Sequence, residues 1–504
     1  DRIYRQGPLE MIEETGRAEQ ALDIAGDPGA WMKREELRAM RITARAMIAY
    51  AHRNAAMLEQ HAGTEKDPQR KQELMEMAAI CRKVPAHSPE TLHEALQYYW
   101  FVHVGVISEM NPWDSFNPGR LDQHLQPFYE RDREAGVAEA QVKELLQAFW
   151  IKFNNHPSPP KVGVTAEESN TYTDFCLVNL GGLTTEGEDG VNEMSYLLLD
   201  VIEEMRLLQP SSMIQVSRKN PDAFIERAAL IIKTGFGQPS VFNADEIIAA
   251  LMRQGKREKD ARNGGASGCV ESGAFGTESY ILTGYFNLSK VLEVTLHNGT
   301  DPRTGKRIGP ETGAPATLDT MEALRKAFQR QLQYFIDIKI RGNNIIDAIY
   351  AYHLPVPFLS LFLDDCLTKG KDYNAGGARY NTSYIQGVGL GSVTDMLTAL
   401  KYHVYDRKRL SLETFLEVLR ADFSGHEEIR SALLYETPKY GNDDDYADVE
   451  AREVFEAFFR TVDGRPTFKG GAFRINLLPT TSHVYFGRVT GATPDGRHAG
   501  QPLS

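Results

Sequence analysis

The residues best able to do chemistry stand in one short stretch, Asn263-Gly264-Gly265-Ala266-Ser267-Gly268-Cys269-Val270-Glu271-Ser272-Gly273. Glycines and serines surround one cysteine and one glutamate, and glycine lets a backbone turn tightly in a crowded place. In an extended segment residues i and i+2 point the same way. The spacing therefore predicts that Cys269 and Glu271 face one substrate while Val270 turns away. A thiol beside a carboxyl suits a hydrogen-atom exchange coupled to a proton transfer. A nucleophilic cysteine would call for a histidine and a cationic or helix-N-terminal setting. The sequence around Cys269 supplies neither, and His297, in VLEVTLHNG, reads as a capping or packing residue. Taken alone, the stretch also fits a free thiol on a solvated loop.

The elements around it are legible as patterns. Residues 33–61 and 68–83 carry apolar positions at helical spacing among Ala, Leu, Met, Arg and Glu. Ser88-Pro89-Glu90-Thr91 predicts a further helix with Ser88 as its N-cap. Downstream, CLVNLGG (176–182), SSMIQVS (211–217), PSVFN (239–243) and TSYIQGVGLG (382–391) read as buried strands, each ending in a loop. Helical patterns at 221–234 and 318–339 lie between them. Such alternation predicts an α/β fold with mostly parallel strands, whose loops after the strand ends carry the chemistry. The Gly/Pro-containing stretch 299–316 reads as a long surface connection.

Composition narrows the function classes. The chain has 504 residues, 42% hydrophobic and 25% charged, with a formal net charge of −13, which argues against nucleic acid or an anionic membrane as partner. It holds no apolar run long enough to span a bilayer and no signal-peptide pattern. The four cysteines, Cys81, Cys176, Cys269 and Cys366, are far apart and form no CxxC pair. That spacing predicts neither a metal site nor a disulfide scaffold, and it fits a cytoplasmic enzyme. Both ends read as cut, because the chain starts at Asp1 and stops at Ser504 within a Gly/Pro-punctuated run.

Five ordered landmarks then converge. GCVES around Cys269 resembles the cysteine loop of the glycyl radical enzymes, the pyruvate formate-lyase-like family. Gly491-Ala492-Thr493-Pro494-Asp495-Gly496-Arg497, running on to Gly500-Gln501-Pro502-Leu503-Ser504, is similar to the stretch that precedes the family's radical domain. Asn117-Pro118-Gly119-Arg120-Leu121-Asp122-Gln123, Asp372-Tyr373-Asn374 with Gly376-Gly377-Ala378-Arg379-Tyr380-Asn381, and Lys439-Tyr440-Gly441-Asn442-Asp443-Asp444 resemble three more. The resemblance implies a ten-stranded barrel of two antiparallel five-stranded parallel half-sheets wrapped by helices, with the cysteine loop at its dry centre. Residues 1–504 would be the central part of that single domain, helical over about 1–110 and barrel core over about 111–504. Arg488-Val489-Thr490-Gly491 mimics the radical-glycine motif but is embedded in another landmark. The radical domain is therefore expected to be absent from this chain.

Within the family, Cys269 to Gly276 with Glu278 and Tyr280 to Asn287, and the loop Asn111 to Asn117, are most similar to the arylacetate decarboxylases. The resemblance implies a glycyl radical on a glycine outside this chain, installed by a partner radical-SAM activase, with no metal here. Cys269 and Glu271 would be catalytic. Ser115, Trp113 and Phe116 would bind a small aromatic acid, which loses carbon dioxide and leaves a methylarene. A homodimer, with or without a small iron–sulfur subunit, is the implied assembly. The competing reading within the family is a dehydratase or C–N lyase acting on a small polyol, choline or hydroxyproline. A non-catalytic degenerate homologue is the reading from another class.

Overall fold

A computed structural model describes residues 2–110, 116–155, 176–478 and 480–504. The chain falls into two compact units, the first taking the described residues up to 155 with 176–280 and 347–381, the second 281–346 and 382–504.

The first unit opens with four helices, Pro8–Gln20, Ala30–Thr64, Pro68–Lys83 and Leu92–Met110. Their small and apolar faces, including Met40, Ala44, Ala51, Ala55 and Ala78, are fully or almost fully buried. One expected cap moves. The helix Leu92–Met110 is capped by Thr91 rather than Ser88: Glu94 N–H donates to Thr91 Oγ1 at 3.2 Å, and the Glu94 carboxylate accepts from Glu90 N–H and Thr91 N–H. That reciprocal exchange is a capping box, and a glutamate three residues on selects Thr91 as the cap.

Four strands follow in parallel, β1 (Gly119–Arg120), β2 (Leu177–Gly181), β3 (Ser211–Val216) and β4 (Ser240–Asn243), hydrogen-bonded in that order. Helix Glu193–Met205 joins β2 to β3, and helix Asp222–Lys233 joins β3 to β4, as parallel pairing demands. The three runs expected at 176–182, 211–217 and 239–243 are thus strands. β2 and β3 are covered on both faces, while β4 is largely exposed. Val178, Leu180 and Ile214 pack into the helical core with Leu125, Phe153 and Phe224. Leu177 and Met213, on the opposite face, pack against Ala266 of the next element. That element is an antiparallel ribbon, β5 (Gly264–Ser267) and β6 (Glu271–Ala274).

The second unit carries β7 (Glu278–Asn287) from Ile281 on, β8 (Tyr380–Val388) from Thr382 on, and β9 (Ala472–Leu477), in that order, with β8 and β9 parallel. Helices Leu288–Leu296, Met321–His353, Leu390–Leu400 and Asp445–Val462 surround a core of Leu292, Leu332, Ile336, Ile385, Leu400, Phe415, Phe458 and Phe473. A buried Glu450 accepts from Arg325 at 2.6 Å and lies 3.3 Å from Lys401. The landmark at 491–504 is a knot: buried Arg497 donates to the carbonyls of Thr490, Gly491, His498 and Gln501. Gly491 N–H donates to Glu293 at 2.6 Å, and a Cβ on Gly491 would sit 2.8 Å from the same oxygen. The motif-like Arg488 to Gly491 is therefore part of a packed brace.

Candidate active site

Cys269 lies at the apex of the ribbon. Ser267 pairs with Glu271, so Gly268, Cys269 and Val270 make the turn between β5 and β6. Gly268 has φ +57°, the left-handed region where a side chain is strained, and a Cβ there would stand 3.1 Å from Glu271 Oε2. That carboxylate oxygen lies in the hollow of the turn, accepting from Cys269 N–H and Val270 N–H, each at 3.2 Å. Glu271 is 6% exposed, whereas Cys269 is exposed. The two residues come together, but not as an extended i, i+2 pair. A tight turn breaks the alternation, so the acid reaches back to the cysteine's main chain. The thiol stands open rather than enclosed, because the apex is the part of a ribbon furthest from the strands that bury its base.

The base is held from several directions. Asn179 on β2 and Gln215 on β3 are buried and face the ribbon. Asn179 Nδ2 donates to Ala266 O at 2.9 Å, and Asn179 Oδ1 accepts from Ala266 N–H at 3.2 Å. Gln215 Nε2 donates to Gly264 O at 3.0 Å and to Asn179 Oδ1 at 3.2 Å. The glycines of the stretch answer to this crowding. A Cβ on Gly265 would lie 2.2 Å from Asn179 Oδ1, and one on Gly273 would lie 2.3 Å from the Tyr280 ring. Beneath the ribbon, Lys256 and Glu278 form a buried ion pair at 2.9 Å, and Glu278 also accepts from Ala274 N–H at 2.8 Å.

The landmarks now have physical roles. Arg120, 2% exposed, donates to the carbonyls of Arg262, immediately before the ribbon, and of Gly181, at the end of β2. Burial pushes its guanidinium down to about 10. Asp122 takes Gly181 N–H at 2.7 Å and Ser195 Oγ at 2.6 Å. Arg379 bridges Asp260, Asp364 and Asp365, and Tyr380 donates to Asp260 at 2.7 Å. Asp260 sits on the short helix Glu258–Arg262 that leads into β5. Both motifs therefore fix the chain just ahead of the cysteine.

Of the other expected residues, Phe116 is half-buried and stacks on Tyr99 at 6.2 Å, as part of the helical core. Trp113 and Ser115 lie outside the described residues. His297 caps its helix, its Nδ1 2.9 Å from Glu293 O, and burial lowers its basicity. Sequence reasoning missed Asn179 and Gln215. Their signal was an amide set among apolar neighbours: Asn179 between Val178 and Leu180, and Gln215 between Ile214 and Val216. Among the described residues, no group of three His, Cys, Asp or Glu is arranged to hold a metal ion, and no helix is long and apolar enough to cross a membrane.

A pyruvate formate lyase-like family model matches residues 1–487. The chain belongs to the pyruvate formate lyase-like glycyl radical enzymes. Enzymes of this family use a glycyl radical installed by a radical-SAM activase. The chain is 52% identical to trans-4-hydroxy-L-proline dehydratase of Clostridioides difficile over 505 residues, covering 100% of this chain and 64% of that protein. It superposes on the crystal structure of the C. difficile hydroxyproline dehydratase with trans-4-hydroxy-L-proline bound, with a TM-score of 0.98 and 51% identity, again covering 100% of this chain and 64% of that one. The chain thus spans about 64% of the length of these relatives. The indoleacetate decarboxylase of Tractidigestivibacter scatoligenes is 29% identical, over 90% of this chain and 55% of its own. These figures overturn the arylacetate decarboxylase reading and the small aromatic acid with it. The local runs that suggested it, Asn111 to Asn117 and Cys269 to Gly276 with Glu278 and Tyr280 to Asn287, are outweighed by identity across the whole chain.

Proposed function

We propose that this chain carries the cysteine and acid of a glycyl radical dehydratase that removes water from trans-4-hydroxy-L-proline or a close hydroxylated analogue. The observation that carries this is the 52% identity to the C. difficile dehydratase over the full chain. The glycyl radical, when installed, supplies the unpaired electron that turns the Cys269 thiol into a thiyl. The chain offers it a fitting hydrogen donor, a single thiol at the tip of a glycine-rich ribbon with a buried carboxylate bound to its main chain.

Cys269 then takes a hydrogen atom from a substrate carbon near the carbinol. The hydroxyl leaves as water with a proton from the Glu271 carboxyl. Glu271 recovers a proton from the substrate radical, and Cys269 S–H returns its hydrogen atom. The sum is the loss of one water, with thiyl and acid both restored. A thiyl radical persists only where water and oxygen are kept out, so this reading requires the Cys269 apex to be enclosed in the working enzyme. We further infer a single ten-stranded barrel domain for the enzyme, which the parallel order of β1–β4 and of β8–β9 supports.

The test is anaerobic activation of the full-length protein by its radical-SAM activase, followed by turnover of trans-4-hydroxy-L-proline, glycerol, choline and phenylacetate, with products identified by mass spectrometry. Water loss from hydroxyproline is expected. Consumption of phenylacetate alone, or of glycerol alone, would discard the assignment. A Cys269→Ser variant that still turned over would remove Cys269 from the mechanism.

A further inference from the structure

A two-stranded ribbon is marginal by itself, and its outer edge is a row of unpaired backbone groups. In an antiparallel ladder, alternate residues turn their N–H and C=O outward. Gly264 and Ala266, two apart on β5, are the residues whose outward groups are met by side-chain amides. Asn179 gives Ala266 both a donor and an acceptor, at 2.9 and 3.2 Å, as a neighbouring strand would. Gln215 takes the Gly264 carbonyl at 3.0 Å and holds Asn179 Oδ1 at 3.2 Å, which fixes the orientation of both amides. Neither side chain is more than 1% exposed. Only a glycine at 265 admits the pair, since a Cβ there would lie 2.2 Å from Asn179 Oδ1 and 2.5 Å from Gln215 Nε2.

We propose that Asn179 and Gln215 are positioning residues that act as a surrogate strand, setting the height and direction at which β5 presents Cys269 to the substrate. This rests on the reading of Cys269 as the hydrogen-abstracting thiol. Misplacement of a reacting atom by about 1 Å costs about 10²-fold in rate, and the amide pair is two strand residues from the turn. A carboxylate at 179 could still accept from Ala266 N–H but would face the Ala266 carbonyl with no proton to donate. Protonation of that acid would restore the donor.

The test compares wild type with Asn179→Asp, Gln215→Met and Gly265→Ala in the full-length protein. Folding is checked by circular dichroism, kcat and KM are followed from acid to neutral pH, and hydrogen exchange of the paired ribbon strands β5 and β6 is read by mass spectrometry in the unactivated protein. Expected are a fall in kcat of about 10²-fold with KM little changed, faster exchange across the ribbon, and partial rescue of Asn179→Asp toward acid pH. Folded variants with wild-type kcat and unchanged ribbon exchange would overturn the proposal. So would failure of all three variants to fold, which would make the amides part of fold stability alone. An inactive wild type would count against the dehydratase reading, and ribbon exchange would still decide this one.

Discussion

Glu271 Oε2 stands 3.2 Å from the main-chain nitrogen of Cys269 and 3.2 Å from that of Val270. The acid therefore closes the turn that carries the thiol. Cysteine and carboxyl are joined through backbone, so any movement of the apex carries both.

Glu271→Gln separates closure of the turn from proton transfer. The amide oxygen can still accept from the turn, so circular dichroism and thermal unfolding should match wild type. Proton transfer is lost, and kcat for dehydration should fall by about 10²–10⁴-fold. Turnover close to wild type would mean that another group carries the proton.

Arg120→Met should loosen the approach to the ribbon. It leaves the buried carbonyls of Arg262 and Gly181 unpaired, at about 1–3 kcal/mol each. Urea unfolding should show a loss of about 2–6 kcal/mol. An unchanged midpoint would show that the two carbonyls find other donors.

The buried pair beneath β6 makes a sharper case. Lys256→Met takes the ion-pair partner from the buried Glu278, and such breakage costs about 3–5 kcal/mol. The double variant Lys256→Met with Glu278→Leu should recover much of that, since it removes the stranded charge along with its partner. Equal destabilisation of single and double variants would argue that the Glu278 bond to Ala274 N–H dominates.

Glu36 gives the protein a pH dependence away from the ribbon. Burial, with Asp372 and Glu109 nearby, pushes its carboxyl up to about 8. The folded state thus holds a proton that the unfolded chain releases from about pH 4.5 upward, so stability falls as pH rises from about 4.5 to 8 and then levels. Each unit of the shift is worth about 1.4 kcal/mol. Glu36→Gln should flatten that slope in denaturation curves taken at pH 5, 6.5 and 8, and an unaltered slope would assign it to other groups.

How much of this could be read from the chain is uneven, for physical reasons. β2 and β3 were legible because a strand covered on both faces is a short apolar run stopped by turn residues. The ribbon was legible as a place and not as a shape: the alternation rule holds in a strand and fails where Gly268 turns the chain left-handed. Arg120 stood out as part of a motif, yet its partners lie 142 and 61 residues further on, so its task was invisible. The substrate was hardest. The runs around the cysteine and at 111–117 resembled those of enzymes acting on an aryl acid, and identity across the whole chain overrode them.

β2 is written on both sides. Val178 and Leu180 face the helices, and Leu177 and Asn179 face the ribbon. One inserted residue would swap the two faces at a stroke, sending an amide into oil and a valine against bare carbonyls. The chain can therefore lengthen its loops freely, but in these five residues it has no room to count differently.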